Sequence, residues 1–205
     1  MSEKNTTPVG LIENTVVIGE NVKIYPNVYL LGKTIIGDGT IIYPNTTIID
    51  SVIGKDCSII SSVIEQSTIK DRVSIGPFAH LRPASVIGNE CLIGNFVEVK
   101  NSTIGDKTHA AHHAYIGDSD VGEKCNIGCG VIFVNYNGHE KNRTIVEDDC
   151  FIGSNCNVIA PVHIRKGSYV CAGTTITIDT SPDDFVIGRS REIVKENYAH
   201  KYLRK

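Results

Sequence analysis

The chain has 205 residues and a formal net charge of −3, enough for one domain with a sizeable core and too balanced to suggest a general nucleic-acid surface. Its 29 Ile and 20 Val against 6 Leu and 8 Ala favour strands and exclude a helical bundle, and the 41% hydrophobic content excludes disorder. No apolar run is long enough to cross a membrane, no basic-then-apolar leader opens the chain, and seven Cys without a C-x-x-C pair point to a reducing cytoplasm rather than a disulfide scaffold.

Residues 1–15 read as an N-terminal lead-in. From Val16 the chain repeats. Ile-Gly or a near variant recurs at Ile18, Ile36, Ile53, Ile69, Ile87, Ile104, Val121, Val146 and Ile164, and a shorter period of six runs inside each interval, as in Ile152, Val158, Ile164, Val170 and Ile176. Four residues after an anchor comes a small or β-branched residue, such as Thr34, Thr40, Thr46, Ser168 or Thr174. Six residues make one short flat side and a corner, and three sides make a coil of a stacked solenoid. The spacing predicts about nine coils over residues 16–180. Cys57, Cys91, Cys125, Cys150 and Cys156 fall on the inward filler position, whereas Cys129 and Cys171 fall off it and are expected to face outward.

The interval from Val121 to Val146 is too long and holds an insertion at residues 135–143, Asn-Tyr-Asn-Gly-His-Glu-Lys-Asn-Arg. A solenoid does not need such a polar loop, and loops of this kind carry binding. After the repeat, residues 181–205 form a basic tail with a short helix expected from Glu192 to Tyr198.

The densest histidine cluster is His109, His112 and His113. In extended chain His112 and His113 point to opposite sides, and spacing alone does not choose between them. The stretches Pro77-Phe78-Ala79-His80-Leu81-Arg82-Pro83, Asn95-Phe96-Val97-Glu98 and Asn135-Tyr136-Asn137-Gly138 are more specific. With the repeats, they resemble the acetyltransferase half of the bifunctional N-acetylglucosamine-1-phosphate uridyltransferase / glucosamine-1-phosphate acetyltransferase family, from about residue 8 to 198. The resemblance implies an all-β, left-handed parallel β-helix; the hand comes from the resemblance and not from the spacing. Nothing in the chain matches the uridyltransferase half, so a stand-alone acetyltransferase is expected, with Met1 and the non-repeat leader favouring a natural chain over a truncated one.

Residue by residue, the resemblance implies His112 as general base, a role that suits a side chain titrating near neutrality. Glu98, in the preceding coil, is expected to hold the other imidazole nitrogen. Arg82, Lys100 and Lys141 match sugar-phosphate ligands, where an anion needs cations, and Tyr115 and Asn126 match residues that hydrogen-bond the sugar. Asn135 and Tyr136 match positions near the thioester, where a donor would steady an oxyanion. Ser154, Ala172 and Arg189 match contacts to acetyl-coenzyme A, and Cys129 stands where that contact is small. The expected partners are a phosphorylated amino sugar, acetyl-coenzyme A as co-substrate and two further copies in a homotrimer with sites between neighbours. No metal, nucleic acid or membrane is expected.

Three other readings compete. One keeps the fold and coenzyme with another amino sugar or a nucleotide-linked sugar as acceptor. A second is a metal-bound hydratase using His80, His109, His112 and His113, which leaves the Asn-Tyr-Asn-Gly loop unexplained. The third is a non-enzymatic trimeric scaffold, against which the retained His112, Asn135 and Lys141 weigh.

Overall fold

A computed structural model describes residues 10–203. Short strands of two to four residues alternate with tight corners and stack into three parallel sheets of ten, nine and ten strands. The first face runs from Leu11–Ile12 to Thr175–Ile176, the second from Val17–Ile18 to Val162–Ile164, and the third from Lys23–Ile24 to Phe185–Val186. Each strand pairs only with its counterparts one coil away, so every face is a ladder along a left-handed β-solenoid of about ten turns. Two faces reach ten strands because Leu11–Ile12 and Phe185–Val186 pair beyond the two ends of the expected repeat.

The six-residue period works as read. Anchors such as Ile36, Ile42, Ile48, Ile53 and Ile59 are at most 1% exposed and fill the axis. The filler residues make a second, polar-to-backbone ladder. Thr40 donates its hydroxyl to the Gly54 carbonyl (2.9 Å), and Thr108 does the same to Gly122 (2.7 Å). Such buried hydroxyls are tolerable because each finds an acceptor in the next coil. The filler cysteines behave alike: the Cys91 thiol reaches the Gly105 carbonyl (3.0 Å), and burial pushes it up to about 11, so it stays a packed thiol. Cys129 is exposed as expected; Cys171 is buried instead, because the Val186 coil stacks directly on it, with the Cys171 N–H donating to the Val186 carbonyl (2.9 Å).

Most corners turn through a left-handed residue. Asn21, Asp56, Arg72, Glu90 and Lys107 do so between the second and third faces; Gln66, Ala84, Asn101 and Asp118 between the first and second; Phe78, Phe96 and His113 between the third and first. The Ile-Gly signature has a steric cause. A Cβ on Gly37 would lie 2.5 Å from the Gly54 carbonyl carbon, so only glycine lets the coils close to hydrogen-bonding distance there. The insertion at 135–143 occupies the first-to-second corner, one coil beyond Asp118, between the strands Ile132–Val134 and Thr144–Val146. In the tail the structure holds one short 3-10 turn, Ala199–Lys201, rather than a helix over 192–198; exposed Ile193 and Val194 have no face to pack against.

Candidate active site

Two groups of predicted residues emerge, on the two sides of one corner. The first is a single file along the end of the third face. Counting two residues past each anchor places Asn95, His112, Cys129, Ser154 and Ala172 one above another. Three coils separate His112 from Ala172, about 14 Å at the ~4.8 Å spacing of paired strands. Glycine makes this edge flat: a Cβ on Gly94 would lie 1.8 Å from the Ala111 carbonyl oxygen, and one on Gly153 would lie 2.4 Å from the Ala172 nitrogen. Arg189 returns to the top of the file, donating from Nη1 to the Ala172 carbonyl (2.8 Å).

His112 closes the strand His109–His112 with an exposed ring. Its Nδ1 lies 2.9 Å from the Asn95 amide oxygen in the neighbouring coil. A carbonyl oxygen can only accept, so Nδ1 carries the hydrogen and Nε2 is left as the basic nitrogen. This corrects the expectation for Glu98. That carboxylate belongs to the first face, beyond the corner, and receives Arg82 Nη1 at 2.9 Å. Asn95, not Glu98, sets the tautomer, because in-register neighbours of adjacent coils meet side by side. His113 is the corner residue itself (φ 42°), its N–H bound to the Asn95 carbonyl and its carbonyl to Gly130. Its ring lines a small groove with Phe96, Glu98, Tyr115 and Ile132.

The second group lies on the first face and the insertion. Tyr115 folds across Gly117, where a Cβ would lie 2.4 Å from the phenol oxygen. Lys100 is in register with that glycine. The loop is a tight hairpin: Tyr136 and Lys141 bridge, the Asn137 amide oxygen accepts the N–H groups of His139 and Glu140 (2.9 Å each), and the Asn142 N–H donates to the Asn135 carbonyl (2.7 Å). Arg143 pins its base on Asp120 (2.5 Å) and on the Asn101 carbonyl (3.1 Å). The hairpin brings Lys141 beside Lys100, and this neighbouring ammonium holds Lys141 below the ordinary lysine range. Neighbouring cations of this kind suit a multiply charged anion.

Asn135 corrects a second expectation. It is buried, and its Nδ2 donates to the Asp118 carboxylate and to Tyr115 Oη (3.3 Å). Both N–H groups are committed within the chain, so the side chain is not a free oxyanion donor. Asn126 stands on the third face in register with His109, and the single chain does not bring it to Tyr115 on the first. Sequence reasoning missed Asn95, Asp118, Asn101 and Arg143. Asn and Asp recur at the corners for their tolerance of left-handed backbone, as at Asn21, Asp50 and Asp56, so Asp118 carried no distinguishing signal.

Family models match most of the repeat. One described as GMPPB C-terminal domain covers residues 63–136, one described as bacterial transferase hexapeptide (six repeats) covers 15–50, and one described as hexapeptide repeat of succinyl-transferase covers 143–177. Bifunctional protein GlmU of Caldicellulosiruptor saccharolyticus is 56% identical over 181 residues, 88% of this chain and 39% of that protein. The chain is a hexapeptide-repeat homologue of GlmU. The GlmU of Thermodesulfovibrio yellowstonii is 52% identical, covering 87% of this chain and 40% of that protein, and the GlmU of a Geobacillus strain is 50% identical, covering 93% and 41%. The chain thus spans about two-fifths of the length of these GlmU relatives. In fold it is similar to a solved UDP-N-acetylglucosamine acyltransferase of Arabidopsis, at 20% identity and a TM-score of 0.65, covering 85% of this chain and 68% of that one. Among the described residues no helix is long and apolar enough to cross a membrane.

Proposed function

We propose that the chain transfers the acetyl group of acetyl-coenzyme A to the amine of glucosamine 1-phosphate. The observation that carries this reading is the file Asn95–His112–Cys129–Ser154–Ala172, in which an imidazole of set tautomer shares one flat edge with the positions matched to the coenzyme. The thioester arm lies along Cys129, Ser154 and Ala172, with Arg189 at its phosphate end. The amine nitrogen attacks the thioester carbonyl carbon while His112 Nε2 accepts its proton. The carbon–sulfur bond breaks, the coenzyme leaves as a thiolate, and the thiolate takes up a proton to leave as the thiol. No acyl-enzyme is needed, so exposed Cys129 is a small neighbour of the arm rather than a nucleophile.

Lys100, Lys141 and Arg82 hold the sugar phosphate, and the Tyr115 hydroxyl, which already accepts a hydrogen bond from Asn135, keeps its own hydrogen for a sugar oxygen. Asn126 and the first-face group stand on different faces of one chain, which supports a homotrimer in which a neighbour's face completes each site. The test is thiol release from acetyl-coenzyme A in the presence of glucosamine 1-phosphate, glucosamine, and a nucleotide-linked amino sugar. Turnover with glucosamine 1-phosphate that exceeds the others at least tenfold is expected. Equal turnover with all three, or preference for the nucleotide-linked sugar, refutes the acceptor; no release with any of them refutes the enzyme.

A further inference from the structure

One buried carboxylate has no place in that chemistry. Asp118 is the corner residue directly below the insertion, with φ 48° and 7% of its surface exposed. Its backbone ties three coils together, its N–H donating to the Lys100 carbonyl (3.0 Å) and its carbonyl accepting from Thr144 (3.2 Å), the residue that ends the loop. Its side chain reaches the loop's start: Oδ2 accepts from Asn135 Nδ2, and Oδ1 accepts from Asn101 Nδ2 at 2.5 Å. Asn101 in turn offers its carbonyl to Arg143. Both ends of the insertion therefore hang on one residue. Asn135, oriented by Asp118, donates to the Tyr115 phenol.

Through space Asp118 also faces two cations. Burial pushes its carboxyl up, but the hydrogen bonds from Asn101 and Asn135 and the charges of Lys100 and Lys141 outweigh this and hold it below the usual carboxylate range. The reciprocal effect raises Lys141 against the repulsion of Lys100; Tyr115 acts on Lys141 in the same sense, and Arg143 also lies in the field of Asp118. A buried anion beneath the loop thus opposes the loss of the Lys141 charge before any ligand arrives.

We propose that Asp118 is a positioning residue for the sugar-phosphate seat: its carboxylate aims Asn135, and through it the Tyr115 hydroxyl, and sets its negative charge beneath the lysines of that seat. This rests on the function proposed above, since it names how that seat is held. It touches no reacting atom.

Asp118→Asn keeps the size of the side chain and removes the charge. On the full chain, kcat and KM for glucosamine 1-phosphate and for acetyl-coenzyme A are measured from pH 6 to 10. A carboxylate raises a neighbouring lysine, so its loss lets Lys141 deprotonate earlier. The alkaline fall of kcat/KM for the sugar phosphate is expected to move down by about one pH unit, and kcat to drop about tenfold, while KM for acetyl-coenzyme A changes less than twofold. Asp118→Glu is expected to return the alkaline limb toward that of the wild type, which a purely structural role would not do. An unmoved alkaline limb in Asp118→Asn overturns the proposal. Should that variant not fold, Asn101→Ala, which frees only Oδ1, is expected to move the limb in the same direction by a smaller amount, and no movement there overturns it equally. Inorganic phosphate binding by calorimetry across the same pH range separates the two claims. If the wild type acetylates nothing, the enzymatic reading falls, and an alkaline limb of phosphate binding that is the same in wild type and Asp118→Asn then overturns the role of Asp118 as well.

Discussion

The two halves of the rod use one frame for different ends. Two residues past the third-face anchors, the N-terminal coils carry Pro26, Pro44, Ser61 and Pro77, whereas the later coils carry Asn95, His112, Cys129, Ser154 and Ala172 at the same station. Anchors and fillers hardly change between them: Ile42, Ile59, Ile93 and Ile152 are all fully buried. The contrast teaches that the interior of a solenoid sets position alone. A proline there only turns the chain, and an imidazole there, next to an amide one coil away, takes a defined tautomer.

Breaking the comparison at its functional end should have the largest effect. His112→Ala is expected to lower kcat by about 10²–10⁴-fold, the usual worth of a general base. Pro44→Ala, at the same station in the first half, should leave kcat within twofold, and so should His113→Ala. Steady-state kinetics on the three variants decide it, and loss confined to His113→Ala would move the base to the corner residue.

Breaking the shared interior should spare the chemistry and cost stability instead. Ile42→Ala deletes a fully buried anchor in the first half and is expected to cost about 2–5 kcal/mol in denaturant unfolding. The kcat of the folded fraction should be unchanged. A fall in kcat comparable to that of His112→Ala would mean that the two halves are not independent.

The smallest effect sharpens the assignment of the imidazole's partner. Asn95→Ala removes the acceptor on His112 Nδ1, and one hydrogen bond is worth about 0.5–1.5 kcal/mol, or roughly 2–10-fold in kcat. Glu98→Gln, which loosens Arg82 on the other side of the corner, should act on KM for the sugar phosphate and leave kcat nearly intact. Equal losses of kcat in both variants would return Glu98 to the imidazole.

The period of six, the aliphatic anchors and the Thr, Ser and Cys fillers were legible in the sequence because each is a local packing demand repeated in every coil. The insertion showed as a break in that period, and its Asn-Tyr-Asn-Gly start marked it as part of the candidate site. The partners were a different matter. Glu98 is 14 positions before His112 and Asn95 is 17, and a spacing near one coil, rather than charge, decides which side chain lies beside the ring. Asn135 looked like a free donor until Asp118 and Tyr115 were seen to occupy both of its N–H groups.

Sequence alone determined the three-sided rod and the stations along it, since anchor spacing and glycine sterics act within one coil and its neighbour. Only the tertiary structure decided the pairing of His112 with Asn95, the burial of Cys171, the Lys100–Lys141 approach and the place of Asp118 beneath the loop. Those depend on which coil lies next to which and on how a nine-residue insertion folds back. Both are set by non-local hydrogen bonds that no single stretch of chain encodes.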